Sequence, residues 1–204
     1  MKTIITIGRQ YGSGGHEIGK KLAEKLNVPF YDKDLLARAA KESGFSEEMI
    51  RNHDERPTSS FLYSVAMDNF GLAIGNSSAD LPIGQKVFLA QFDAVRAIAE
   101  EGSCVIVGRC ADYALRDIDH CLNIFIFGKE DAKAERVAAL YNLSKEDAKK
   151  VCAKQDKKRQ SYYNYYSDKK WGRADSYDLC VDSGKLGIDG TVDFIAEYVK
   201  SLEK

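Results

Sequence analysis

Gly8-Arg-Gln-Tyr-Gly-Ser-Gly-Gly15 stands between Thr3-Ile-Ile-Thr-Ile7 and the segment His16–Leu26. The residues ahead of it are β-branched and largely apolar, the pattern of a short parallel strand buried on both faces. Behind it, Ile18, Leu22 and Leu26 recur at helical spacing. A glycine-dense turn between a strand and a helix lets successive backbone N–H groups turn inward around an anion, and the helix N-terminus adds its dipole. Four glycines in eight residues, with Arg9 among them, read as a phosphate cradle rather than a bare tight turn. The candidate phosphate contacts are Gly8, Arg9, Gly12, Ser13, Gly14, Gly15, His16 and Glu17.

The loop departs from a standard Walker motif. Counted from Gly8, Gly-Lys-Ser/Thr would fall at 13–15, where this chain has Ser13-Gly14-Gly15. The phosphate-bridging lysine is absent, and Lys20 and Lys21 lie more than a turn into the helix. Arg9 is the nearest candidate cation, and Ser13 carries the only alcohol hydroxyl available to an Mg2+ ion. A dinucleotide fingerprint is the rival reading. Gly12–Gly19 does not give G-x-G-x-x-G because the third glycine falls too late, although Asp32 or Asp34 could serve as the later acid.

Working outward, Pro29–Asp32 reads as a short strand ending in a carboxylate, and Asp34–Lys41 and Glu47–Asn52 as helices. Residues 53–83 carry Pro57, Pro82 and paired serines with little periodicity, an irregular or partly helical excursion over the substrate site. Ile83–Glu101 is an amphipathic helix. Cys104–Val107 and Leu122–Phe127 are strands, and Glu130–Leu140 and Ser144 to about Tyr166 are helices, the latter opening on a near capping box. Tyr177–Val181 is a last strand and Thr191–Leu202 a closing helix. Strands separated by helices predict one three-layer α/β domain over 1–204, with a mostly parallel sheet of about five strands and helices on both faces. Ligands of such sheets bind outside the carboxyl ends of the strands.

These residues resemble the cytidylate kinase-like family, a group of P-loop nucleoside monophosphate kinases. Residues 4–38 look like its opening, with Asp32 closing the second strand and Arg38 six residues later. Gly108-Arg109 after CVIV resembles the family's Gly-Arg-Asp, with Asp112 standing two positions late for the aspartate. Glu135-Arg136 resembles half of a Glu-Arg-x-x-Arg-Arg set, whose last positions are here Ala139 and Leu140. Lys154–Arg159 resembles the lid segment, although a mixed-charge helix face would read the same way. The resemblance implies ATP and Mg2+ as cofactors and a small nucleotide such as CMP as acceptor. It implies that Arg38, Arg109, Asp32 and Asp112 serve the acceptor, that Arg136 and Arg159 neutralise the transferring phosphoryl group, and that backbone around Ser183–Leu186 holds the base; Arg9, the only cation inside the loop, is expected on its own position to supply the charge of the missing lysine. It also makes 53–83 an acceptor-side insertion and about 144–175 a lid. Asp32 would orient the acceptor or a metal-bound water. A catalytically weak nucleotide sensor that keeps the fold is the alternative, motivated by the missing lysine.

Composition sets outer bounds. The 204 residues are 44% hydrophobic and 30% charged, enough for a core under a polar surface. Thirty Lys and Arg against 31 Asp and Glu leave a net charge of −1, which supplies no global field for nucleic acid or anionic lipid. No apolar run approaches the ~20 residues that span a bilayer. Cysteines 104, 110, 121, 152 and 180 include no C-x-x-C pair, and an odd count argues against a disulfide framework, so the cytoplasm is the expected compartment. The histidines have no metal-ligand spacing. The tyrosines at 162–166 read as packing.

Overall fold

The computed structural model describes residues 3–53 and 81–202. Its elements run β1 (Ile4–Arg9), α1 (Gly15–Leu26), β2 (Phe30–Tyr31), α2 (Lys33–Ser43), α3 (Glu47–His53), α4 (Ile83–Glu101), β3 (Cys104–Val107), α5 (Ala111–Ala114), β4 (Cys121–Phe127), α6 (Glu130–Tyr141), α7 (Lys145–Tyr166), β5 (Leu179–Asp182) and α8 (Ser183–Leu202), with a 3-10 turn at Ala174–Ser176. The five strands are all parallel, in the order β2-β3-β1-β4-β5. β1 is central, with Ile4 opposite Cys104 on one side and Cys121 on the other. The chain leaves β1 toward one edge and returns through β4 toward the other, so a crevice opens where β1, β3 and β4 end.

Alternation along β1 explains the layers. Ile5 and Ile7 face Ile18 and Leu22 of α1 and Val192, Ile195 and Val199 of α8. Ile4 faces Val95 and Ile98 of α4 with Ala111 and Ala114 of α5. Both faces are therefore dry, as the uninterrupted apolar strands require. Burying a side chain such as Ile18 or Leu22 completely contributes about 1.5–3 kcal/mol.

The long elements lie where periodicity and punctuation set them. In α4 the buried residues Val87, Phe88, Gln91, Ala94, Val95 and Ile98 trace one stripe, with Pro82 at its head and Gly102 at its end. Ser144 caps α7 by accepting the N–H of Asp147 at 3.1 Å. The tyrosines of α7 pack rather than bind: Tyr166 stacks on Phe88 with ring centroids 3.9 Å apart, and Tyr162 donates to Gln91 at 3.2 Å.

Two expectations change. A helical turn from Ser183 precedes the closing helix and is set off from it by a kink at the non-helical Gly187 (φ 70, ψ −177), so helical backbone begins before the expected Thr191. Ser183 Oγ donates to the carbonyls of Ser13 (2.6 Å) and Phe127 (3.1 Å), which pins this turn under the glycine loop. Ser183–Leu186 is thus a helical turn rather than an open loop. The short helix α5 was not anticipated. Most of the expected 53–83 insertion lies outside the described residues.

Candidate functional site

Within the loop, Gly12 and Gly14 both sit at φ 79, a left-handed conformation that side chains strain to adopt. Gly14 is the N-cap of α1 and supplies no side-chain cap, so the first-turn N–H groups of α1 are left for a ligand at the helix's positive end. This fixes the register of the motif from the helix backwards. The glycine that turns into the helix is Gly14, so Gly14-Gly15-His16 occupy the places of Gly-Lys-Ser/Thr. The count from Gly8 is one residue early.

The rest of the loop is clamped. Tyr11 N–H donates to Asp156 Oδ1 at 2.6 Å, and Gly128 N–H donates to Gln10 Oε1 at 3.2 Å. A Cβ on Gly12 would lie 2.8 Å from the Lys133 carbonyl, so α6 abuts the turn directly. Ser13, the expected Mg2+ contact, is instead buried and donates its hydroxyl to the Gln10 carbonyl at 2.8 Å. The hydroxyl is used by the turn itself, and Ser13 does not line the cleft.

A cleft of about 520 Å³ opens over the loop, within the size range of small-molecule sites. Its wall brings together Arg9, Arg109, Arg136 and Arg159 with His16, Glu17 and Asp32, while Val137, Leu140 and Tyr141 give it an apolar side. Arg136 Nη1 lies 3.7 Å from Glu17. Arg159 donates to the Arg9 carbonyl at 3.2 Å, its guanidinium 5.5 Å from the centre of the Tyr11 ring. Burial first, then the Tyr141 hydroxyl, pushes the Tyr11 phenol up to about 12. Lys158 is exposed and does not line the cleft.

At the far wall, Gly108, Arg109 and Cys110 take positive φ in succession (80, 52 and 54). This left-handed turn sends Arg109 back over the sheet, where it donates to the Val107 carbonyl at 3.1 Å and to Asp32 Oδ1. The other Asp32 oxygen meets His16 Nδ1 at 2.7 Å. Burial pushes the Asp32 carboxyl upward, but the charge and hydrogen bond of Arg109, with Arg9 and His16, outweigh it and hold the acid below its usual range. Asp112 faces a second, small cavity of about 30 Å³ that also touches Arg9, Arg109 and Arg159. It accepts the Tyr163 hydroxyl at 2.5 Å with Lys169 at 3.8 Å, and burial raises its carboxyl pKa.

Arg38 is not in this cleft. Its guanidinium donates to Glu101 through two nitrogens (2.9 and 2.7 Å) and to Glu42 at 2.7 Å, so it does not share a phosphate position with Arg109. Lys133 was overlooked in the sequence, and Asp156 was read there only as part of the lid segment, not as a partner of the loop. They pair at 2.7 Å, nearly buried, beneath the loop. A signal existed in their i,i+3 spacing from Arg136 and Arg159 on two adjacent helices. Among the described residues no cluster of His, Cys, Asp or Glu is arranged to hold a metal ion by itself, and no helix is long and apolar enough to cross a membrane.

The family model described as the cytidylate kinase-like family matches residues 4–185. The chain belongs to the cytidylate kinase-like family. Curated relatives named cytidylate kinase align over nine-tenths or more of their length: that of Methanothrix thermoacetophila is 26% identical, covering 98% of this chain and 99% of its own. That of Pyrococcus horikoshii is 26% identical, covering 99% and 91%. Among solved structures, an uncharacterized protein from Eubacterium ventriosum superposes with TM-score 0.74 and 34% identity, covering 98% of this chain and 99% of that one. Shikimate kinase from Bacteroides thetaiotaomicron (TM-score 0.55, 15% identity, 98% and 99% covered) shares the fold. For a member of the cytidylate kinase-like family, the five-stranded parallel sheet and the glycine loop at its central strand are the expected frame.

Proposed function

We propose that this chain transfers the γ-phosphoryl group of ATP to a nucleoside monophosphate, with CMP and dCMP as first candidates. The observation that carries this reading is the convergence of Arg9, Arg109, Arg136 and Arg159 on one cleft floored by the glycine loop. Phosphoryl transfer asks a protein for positioning and for neutralisation of spread negative charge, with little covalent work. Four guanidiniums around a backbone nest supply both. The relatives named cytidylate kinase suggest the acceptor class.

In this reading the N–H groups of residues 12–16 hold the β- and γ-phosphates, and Arg136 and Arg159 flank them from α6 and α7. Arg109 receives the acceptor's phosphate, while Asp32 and His16 orient the acceptor beside it. Mg2+ brought in with the nucleotide would supply shielding of the transferring charge, and Asp32 and Glu17 are the cleft-wall carboxylates that would hold it. A cytoplasmic setting and small-molecule partners alone fit the same reading.

A coupled ADP-release assay with CMP, dCMP, UMP and AMP tests it. Turnover should be fastest with a cytidine nucleotide. ATP binding without turnover on any acceptor would overturn the proposal and favour a nucleotide-sensing protein, a reading motivated by the loop that lacks its lysine.

A further inference from the structure

Three of the loop's glycines do not share one cause. Gly12 and Gly14 are required by positive φ, but Gly15 opens an ordinary helix and its backbone would accept any residue. What excludes a side chain there is Arg9. A Cβ built on Gly15 would fall 2.5 Å from Arg9 Cβ and 3.1 Å from Arg9 Cγ. The approach follows from the topology. Arg9 extends the alternating row of Ile5 and Ile7 on the α1 face of β1, and Gly15 leads the buried stripe Ile18, Gly19 and Leu22 on the side of α1 that faces it. The arginine stem therefore lies in the volume through which a side chain at 15 would have to leave, at the place where a Walker loop carries its lysine.

We propose that Arg9 and Gly15 form one exclusive unit in which the loop cation is delivered from the last residue of β1 instead of the first residue of α1, Gly15 being glycine to let the Arg9 stem pass. The unit rests on the phosphotransfer reading for its purpose but not for its geometry. Arg9 lines the cleft together with the loop, and its charge reaches Asp32 across it. A guanidinium arriving from the strand can bridge two phosphate oxygens, a geometry one ammonium cannot reproduce. The two arrangements are interchangeable in principle, because R9G with G15K recreates the spacing G-x-x-x-x-G-K over 9–15.

The test is a double-mutant cycle on the full chain with R9G, G15K and R9G/G15K, reading ATP affinity by calorimetry and thermal unfolding of each protein. R9G should lose about tenfold or more in ATP affinity, the scale of one charge-assisted contact. G15K should lose affinity and also unfold at lower temperature, because two side chains compete for one space. The double variant should regain most of both losses. Should G15K fail to fold, G15A and R9G/G15A carry the same steric comparison, with the expected rescue read in the unfolding temperature. Additive losses in affinity and stability, or a fully stable G15K that binds ATP as the parent does, would overturn the unit. A parent protein that binds ATP and shows the coupling, yet phosphorylates no nucleotide, would refute the proposed reaction and leave the unit standing.

Discussion

Asp156 on α7 accepts the backbone N–H of Tyr11 at 2.6 Å while its other oxygen holds Lys133 of α6 at 2.7 Å. One carboxylate therefore ties the glycine loop to both helices that flank the cleft. Asp156→Ala leaves a nearly buried ammonium and a loop N–H without their acceptor, and should cost about 2–4 kcal/mol in urea unfolding. Asp156→Asn keeps a carbonyl for Tyr11 and should cost less. Equal losses for the two would mean that the tie to Tyr11 carries no weight.

Gly14→Val combines a left-handed backbone with a Cβ that would fall 2.3 Å from Ile188 Cδ1 and 3.1 Å from Arg136 Nη1. The conformational part alone costs about 1–2 kcal/mol. Arg136 is displaced from the cleft wall at the same time, so ATP affinity should fall by about tenfold or more, beyond what the stability loss explains. Calorimetric titration with ATP, run on a variant confirmed as folded by circular dichroism, checks this.

Arg109 and Arg38 should behave in opposite ways. Arg109→Ala leaves the nearly buried Asp32 without its main counter-charge and should destabilise by about 3–5 kcal/mol, with Asp32→Asn recovering part of that. Arg38 is paired with Glu42 and Glu101 near the surface, and Arg38→Ala should cost no more than about 1 kcal/mol and leave the acceptor KM unchanged. A large rise in acceptor KM for Arg38→Ala would show that the arginine leaves its carboxylates when the acceptor binds.

The raised acid at Asp112 has a pH signature. Because burial lifts its folded pKa above the unfolded value of about 3.9, the folded state holds the proton more tightly across the window between the two. Its contribution is full below the unfolded pKa and is lost as pH rises through the folded one. Asp32 is lowered and acts oppositely, losing its contribution as pH falls below about 3.9. Urea unfolding from pH 4 upward should show stability declining with pH more steeply in the parent than in Asp112→Asn. Parallel profiles would contradict the assignment.

Local signals made the frame legible. Residues 83–101 could be read as a helix because their apolar stripe, Pro82 and Gly102 agree, and 104–107 as a strand because both its neighbours bury it. Arg9 was legible from its place in the glycine loop and Arg109 from its strand end, whereas Arg136 and Arg159 were legible only through the family resemblance; all four line one cleft. The place of Arg38 was not legible, because its partner Glu101 lies 63 positions away at the end of another helix. The same distance problem hid the 145-residue link between Tyr11 and Asp156. The first turn of α8 was hidden for a different reason. Gly184, Gly187 and Gly190 read as loop, and only the tertiary hydrogen bonds of Ser183 make that turn helical.

The turn after β3 places two non-glycine residues, Arg109 and Cys110, at φ 52 and 54 in succession. Each costs about 1–2 kcal/mol of conformational energy that glycine would not incur, and asparagine would incur less of it. At 109 that strain is smaller than the cost of leaving the nearly buried Asp32 without its counter-charge, so directed selection for heat resistance should admit glycine or asparagine at 109 only together with an uncharged residue at 32. Selection for turnover should keep both charges and the strained turn between them. Thermal robustness and catalytic output therefore compete at a pair of positions rather than at one, and sequencing the winners of the two regimes would display the linkage directly.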